Sequence, residues 1–118
     1  MAMGNADPLI SVDTPPSGSG CRDCLTNAGW WLHLRRCAAC GAVGCCDSSP
    51  SGHATQHARV TGHAVVQSFE PGEDWFYDYR TDQSVAGPDL APPVSRPRDQ
   101  PSPAPVERLP QNWRELLR

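Results

Sequence analysis

The sequence contains no lysine, and its ten arginines are outnumbered by 13 acidic residues, which leaves a net charge of −3. Binding to the phosphate backbone of a nucleic acid requires a basic face, so this charge argues against a nucleic-acid partner. The sequence also has no run of about 18 apolar residues, the length that a membrane-spanning helix needs. Its first residues lack the basic and apolar regions of a signal peptide. We therefore predict a cytoplasmic protein that has neither a membrane nor a nucleic acid as its partner.

Only residues 21–82 have the composition of a folded domain. Residues 1–20 are small and polar and predict a flexible leader, whereas residues 83–118 predict a proline-rich linker that ends in a short amphipathic segment. In that segment Trp113, Leu116 and Leu117 are spaced as on one helix face, so it either frays or docks on a partner or back on the domain. A domain this small buries little apolar surface, so metal or disulfide cross-links are expected.

All six cysteines and all four histidines lie between residues 21 and 63. Without a secretory signal, this pattern favours metal binding over disulfides. Zinc takes four Cys or His donors in a tetrahedron, and a site with four protein donors has no position for a reactive water. The sequence has enough donors for two such structural sites and thus predicts a protein that is not an enzyme. The candidate ligands are Cys21, Cys24, Cys37, Cys40, Cys45 or Cys46, His53, His57 and His63. Spacing alone does not determine which of them share a metal.

The pattern of apolar residues predicts one helix and several strands. Residues 30–36 alternate as in a half-buried strand, which places Trp30 and Trp31 on opposite faces and leaves one of them as a candidate for a binding surface. Residues 53–63 are typical of a helix with its end at Gly62. Residues 64–69 and 75–80 predict two further strands, the second of which is aromatic. We expect a small zinc-stabilised α+β domain, in which a twisted antiparallel sheet carries one or two short helices, with disordered tails.

Over residues 21–80 the sequence resembles the UBP-type zinc finger, a ubiquitin-binding domain found in deubiquitinases, a histone deacetylase and ubiquitin ligases. The matching features are Cys21-x-x-Cys24, Trp31, Cys37-x-x-Cys40-Gly41-x-Val43-Gly44-Cys45, His53-Ala54-x-x-His57, Gly62-His63 and Trp75-Phe76-Tyr77. The resemblance implies two interleaved zinc sites, one formed by Cys21, Cys24, Cys45 and His53 and the other by Cys37, Cys40, His57 and His63. It also implies that Cys46 is a spare cysteine and that Trp31, Trp75 and Tyr77 wall a slot for the free C-terminal tail of a ligand.

One position departs from the family pattern and changes the expected ligand. An arginine shortly after the cysteine that matches Cys45 helps the family to hold the tail, whereas this sequence has Asp47 there. The lost arginine forfeits hydrogen bonds of about 1.5–3 kcal/mol, and the acid repels a carboxylate. We therefore predict a non-catalytic module that docks a peptide or protein tail, alone or beside a partner enzyme, with ubiquitin a doubtful ligand. The alternative is a redox-responsive zinc protein that uses the thiol of Cys46.

Overall fold

The computed structural model describes residues 10–18, 20–70, 73–88, 90 and 103–117. Over these residues the chain forms one five-stranded antiparallel sheet and two α-helices, which confirms the predicted α+β fold class. No helix in the described ranges is long and apolar enough to cross a bilayer. In chain order the elements are α1 (Arg22–Thr26), β1 (Leu34–Cys37), β2 (Val43–Cys45), α2 (His53–Thr61), β3 (Val65–Ser68), β4 (Phe76–Asp78) and β5 (Gln83–Val85), followed by 3-10 turns at Val106–Arg108 and Trp113–Leu116.

The strands lie in the order β2-β1-β3-β4-β5. Arg35 of β1 is opposite Ser68 of β3, and Val66 of β3 is opposite Tyr77 of β4. Because side chains alternate along a strand, Arg35, Val66 and Tyr77 lie on the same face of the sheet. The edge strand β5 lies beyond the domain boundary predicted at residue 82, so the sheet extends three residues further than the sequence indicated.

Over the described residues, the core consists of two groups of buried side chains. The first surrounds Leu34 and includes Trp31 and Phe69 together with three cysteines, and the second contains Val65 and Phe76. The structure places Trp31 in the first group, where its side chain is 4% exposed. This differs from the expected place of Trp31 in the wall of a slot. The strand starts only at Leu34 because the chain bends at residues 32 and 33, so the alternation predicted over residues 30–36 does not reach Trp31.

The described part of the predicted leader, residues 10–18, lies against the second Cys-x-x-Cys turn. The backbone N–H of Ser11 donates to Ala38 O (2.7 Å), and that of Ser17 donates to Gly41 O (2.8 Å). The guanidinium of Arg36, which is only 2% exposed, donates to Thr14 O. A buried charge requires hydrogen-bond partners, and residue 14 supplies one. This part of the leader therefore packs on the domain, which its small, polar composition did not indicate.

The C-terminal segment, residues 103–117, returns to the start of the domain. Trp31 and Ala104 exchange backbone hydrogen bonds of 2.8 and 3.0 Å as an isolated antiparallel bridge. The Trp113 ring packs edge-on against Trp30, with 6.4 Å between ring centroids. Of the two fates that the sequence left open, fraying or docking, the structure shows docking back on the domain.

Helix α2 contacts β2 at a glycine. A Cβ atom added to Gly44 would lie 2.8 Å from the backbone N and 2.9 Å from the Cα of Ala54. Only a residue without a side chain therefore allows α2 to lie this close to the strand. The close approach holds His53, the first residue of α2, near Cys45, the last residue of β2.

We expect Gly44→Ala to push α2 away from β2, because the clashing atoms are backbone and cannot rotate aside. Such overpacking lowers the free energy of unfolding by about 1–3 kcal/mol, which urea denaturation of the zinc-loaded protein would measure. Gly18→Ala is the control, since a Cβ added at Gly18 meets nothing within 4 Å. A Gly44→Ala protein as stable as this control would contradict the close packing.

Candidate functional site

The first cluster consists of Cys21, Cys24, Cys45 and His53, whose donor atoms all lie within 4.8 Å of one another. The Nδ1 atom of His53 is 3.3 Å from the Sγ atoms of Cys21 and Cys24 and 3.5 Å from that of Cys45. Its three cysteines are 0% exposed. The backbone N–H of Cys24 donates to Cys21 Sγ (3.4 Å) and that of His53 to Cys45 Sγ (3.2 Å), and such bonds orient and stabilise thiolates.

The second cluster consists of Cys37, Cys40, His57 and His63, whose donor atoms also lie within 4.8 Å of one another. The Nε2 atom of His57 is 3.3 Å from Cys40 Sγ, and the ring centroids of His57 and His63 are 5.5 Å apart. Cys40 is exposed and both histidines are half-buried, so this cluster is the more open one. Within the described ranges His63 Nδ1 is buried and has no hydrogen-bond partner.

The spacing of the donor atoms fits tetrahedral zinc. Zn–S bonds of about 2.3 Å and Zn–N bonds of about 2.0 Å require sulfur–sulfur edges of about 3.8 Å and sulfur–nitrogen edges of about 3.5 Å. The Sγ atoms of Cys24 and Cys45 are 3.8 Å apart, and the measured sulfur–nitrogen distances are 3.3–3.5 Å. The donor set, Cys₃His in one cluster and Cys₂His₂ in the other, is also typical of structural zinc. The residues present therefore fit this metal.

The two clusters are interleaved along the chain. The structure brings together the two ligand sets that the resemblance implied, and it places Cys45 rather than Cys46 in the first cluster. His53 and His57, one turn apart on α2, face different clusters. A single helix therefore links both Cys-x-x-Cys turns, because it supplies one histidine to the cluster of each turn.

The protonation of the donors follows from their surroundings. Hydrogen bonding to Cys24 and Cys45 lowers the pKa of the Cys21 thiol to about 3, whereas hydrogen bonding to Cys21 raises the pKa of Cys24. In the second cluster, burial raises the pKa of Cys37 to about 11 and lowers that of His57. Zinc binds thiolates and neutral imidazoles. A lowered histidine pKa thus favours binding, whereas a raised thiol pKa means that the incoming metal must displace a proton.

A cleft of about 290 Å³ opens on the sheet face that carries Arg35 and Tyr77, and we call it the slot. Trp75 and Tyr77, two of the three predicted wall residues, line the slot, and Trp31 does not. The rings of Tyr77 and Tyr79 contact edge to face with centroids 5.2 Å apart. Burial raises the pKa of Tyr79, so its hydroxyl stays a neutral donor at physiological pH. The lining residues are His33, Arg35, Cys46, Asp47, Ser48, Val66, Trp75, Tyr77 and Tyr79.

The slot contains a positive charge that the sequence reasoning missed. The guanidinium of Arg35 stacks over the ring of Trp75, 4.6 Å from its centroid, and donates to Leu34 O (2.9 Å). The carboxylate of Asp47 accepts a hydrogen bond from the hydroxyl of Thr55 on α2. The clue in the sequence is strand alternation, because Arg35 must face away from the core residue Leu34. Its position over Trp75, 40 residues further along the chain, depends on the pairing of β1, β3 and β4.

Cys46 belongs to neither cluster. It is 5% exposed, and its Sγ is 3.6 Å from Ser49 Oγ at the edge of the slot. The oxidation of a thiol depends on its exposure to solvent, and Cys46 has little. This burial weakens the alternative in which Cys46 serves as a redox-responsive thiol.

Comparisons with known proteins agree with the geometry. The family described as "Zn-finger in ubiquitin-hydrolases and other protein" matches residues 21–90. Protein RPA1320 from Rhodopseudomonas palustris, known from a solution NMR structure, is 37% identical, with a TM-score of 0.62 over 90% of this chain and 100% of that chain. The search of proteins with curated descriptions found no match.

We expect a chelator to remove zinc from the second cluster first, because Cys40 is exposed whereas the cysteines of the first cluster are buried. The second cluster should release zinc about tenfold faster than the first, which corresponds to a difference of about 1.4 kcal/mol in activation free energy. Native mass spectrometry during chelation should thus detect a transient species with one zinc. Cys40→Ser should remove the fast phase and leave the slow one. Simultaneous loss of all zinc from the unmodified protein would contradict the difference between the clusters.

Proposed function

Because this chain belongs to the family of zinc fingers found in ubiquitin hydrolases and other proteins, we propose that it is a non-catalytic module that docks the C-terminal tail of a peptide or protein in the slot. The observation that carries the proposal is the guanidinium of Arg35, which stacks on Trp75 inside a cleft with aromatic walls. An aromatic cleft with one oriented cation offers both apolar contact and a partner for a carboxylate.

The donor count supports a non-catalytic role. Each cluster has four protein donors, so two structural zinc ions filling them would leave no open position for water or substrate. Bound metal would supply folding free energy, and the residues around it would give the domain its shape.

The predicted cytoplasmic location stays a prediction.

The size and walls of the slot suit the end of a chain better than a folded surface. Its volume of about 290 Å³ is at the lower end of the range for ligand pockets, about 300–1,000 Å³. Trp75 is 37% exposed, so it offers apolar area to a ligand without a change in the fold. An extended tail of a few residues would lie between Trp75 and Tyr77.

The charges in the slot support a tail that ends in a free carboxylate. Asp47, which the sequence analysis counted against such a ligand, is hydrogen-bonded to Thr55, whereas Arg35 projects from β1 into the slot. A guanidinium forms paired hydrogen bonds with a carboxylate, and its stacking on an aromatic ring lowers the entropy lost on binding. Arg35 thus supplies from a strand the charge that the loop after Cys45 lacks.

We expect zinc-loaded protein to bind short peptides with a free carboxylate, including one that ends in Gly-Gly, more tightly than the same peptides with an amidated end. Isothermal titration calorimetry would measure the affinities for the free-acid and the amidated peptides. Arg35→Met should weaken binding of the free acids by about 10- to 150-fold, because hydrogen bonds to a charged group contribute about 1.5–3 kcal/mol. Trp75→Ala should weaken binding of both forms, because it removes the wall of the slot.

Arg59→Met is the matched control, since Arg59 is exposed on α2 and does not line the slot. Its affinities should equal those of the unmodified protein. If no peptide of the panel binds, the docking function is wrong. If acid and amide forms bind equally well, the slot docks tails but Arg35 does not recognise their carboxylate.

A further inference from the structure

The two clusters differ in charge as well as burial. Zn²⁺ with three thiolates and one imidazole has a formal charge of −1, whereas Zn²⁺ with two thiolates and two imidazoles is neutral. The first cluster is the Cys₃His one, and its cysteines are fully buried. Removing a net charge from water is unfavourable unless a charge of opposite sign or hydrogen bonds compensate it. The first cluster therefore requires compensation of its charge, to which a nearby cation would contribute, and the second does not.

Arg108 of the C-terminal segment meets this requirement. Its Nη1 atom donates to the backbone O of Cys24 (2.9 Å), which is a residue of the first cluster, and to the backbone O of Gly29 (3.1 Å). Cys24 lies within the short helix α1 and Gly29 lies three residues beyond its end, and the carbonyls at the C-terminal end of a helix attract a cation. The side chain comes from 84 positions away, so the contact exists only because the chain returns to its start.

Two further contacts hold the segment in place on either side of Arg108. Ala104 pairs with Trp31 through two backbone hydrogen bonds, and the Ala104 side chain is 5% exposed within the first core group. On the other side, the Trp113 ring packs against Trp30. These contacts fall on residues that directly follow the first Cys-x-x-Cys turn. Within the described residues, no hydrogen bond joins this segment to the second Cys-x-x-Cys turn.

We propose that residues 103–117 are a clasp for the first cluster, in which Arg108 is a positioning residue. The guanidinium holds the carbonyls of Cys24 and Gly29 together and thereby fixes the turn that presents Cys21 and Cys24 to the metal. It also places a positive charge beside a buried site of net negative charge. The clasp accordingly controls how firmly the first cluster keeps its zinc, and it has no direct effect on the second.

Arg108→Met in the full-length, zinc-loaded protein tests the proposal, because methionine keeps the apolar stem and removes the charge and its donors. The slow phase of zinc release to a chelator should accelerate by about tenfold, which corresponds to about 1.4 kcal/mol, and the fast phase should be unchanged. The slow phase of Arg108→Lys should have a rate between those of the unmodified protein and Arg108→Met, since an ammonium keeps the charge without the planar fork. Arg114→Met is the matched control, because Arg114 belongs to the same segment but stacks on Trp113 instead of donating to the turn.

Amide hydrogen exchange provides a second readout that does not depend on the order of zinc release. The N–H groups of Leu25, Asn27 and Gly29 donate to backbone carbonyls within the first turn, and that of Gly41 does so within the second. Arg108→Met should accelerate exchange in the first turn and leave Gly41 unchanged. Unchanged exchange and release in Arg108→Met, or equal changes in Arg114→Met, would overturn the proposal.

Discussion

Helix α2 supplies one histidine to the first cluster and another to the second, and each cluster also contains a Cys-x-x-Cys pair from the start of the domain. Metal coordination across this arrangement fixes the helix against both turns at once, which a small core could not do alone. The described core consists of two separate groups of side chains, and the larger group contains three cysteines of the first cluster. A domain of this size buries too little apolar surface to be stable without such cross-links.

The slot depends on the same coordination. Its walls come from β1, β3 and β4 on one side and from the loop at residues 46–48 on the other, and that loop begins directly after Cys45. Coordination of Cys45 and His53 would fix both ends of the loop. Gly44 allows α2 to approach closely enough for this to occur. Metal binding would therefore fix the shape of the slot through a few neighbouring residues.

The two chain ends complete the domain in different ways. Residues 10–18 bind the second Cys-x-x-Cys turn through backbone hydrogen bonds and supply a partner to the buried Arg36. Residues 103–117 bind the first turn and add the guanidinium of Arg108. The difference agrees with the charges of the clusters, because only the Cys₃His cluster has a net charge when it holds zinc. Each of these segments therefore contacts one turn, and the C-terminal one also balances charge.

Local chemistry explains what the sequence by itself determined. The spacing of cysteines and histidines indicated the candidate donors, because a Cys-x-x-Cys turn and two histidines one helical turn apart present their donors through local geometry. Spacing left Cys45 and Cys46 as alternatives, and the family resemblance favoured Cys45. The α+β class and the aromatic strand that contains Tyr77 also followed from local patterns. Tertiary structure decided the rest. Trp31 became a core residue because the chain bends before β1, and Arg35 entered the slot through strand pairing. Both chain ends docked through contacts between residues far apart in the sequence, which neither composition nor periodicity encodes.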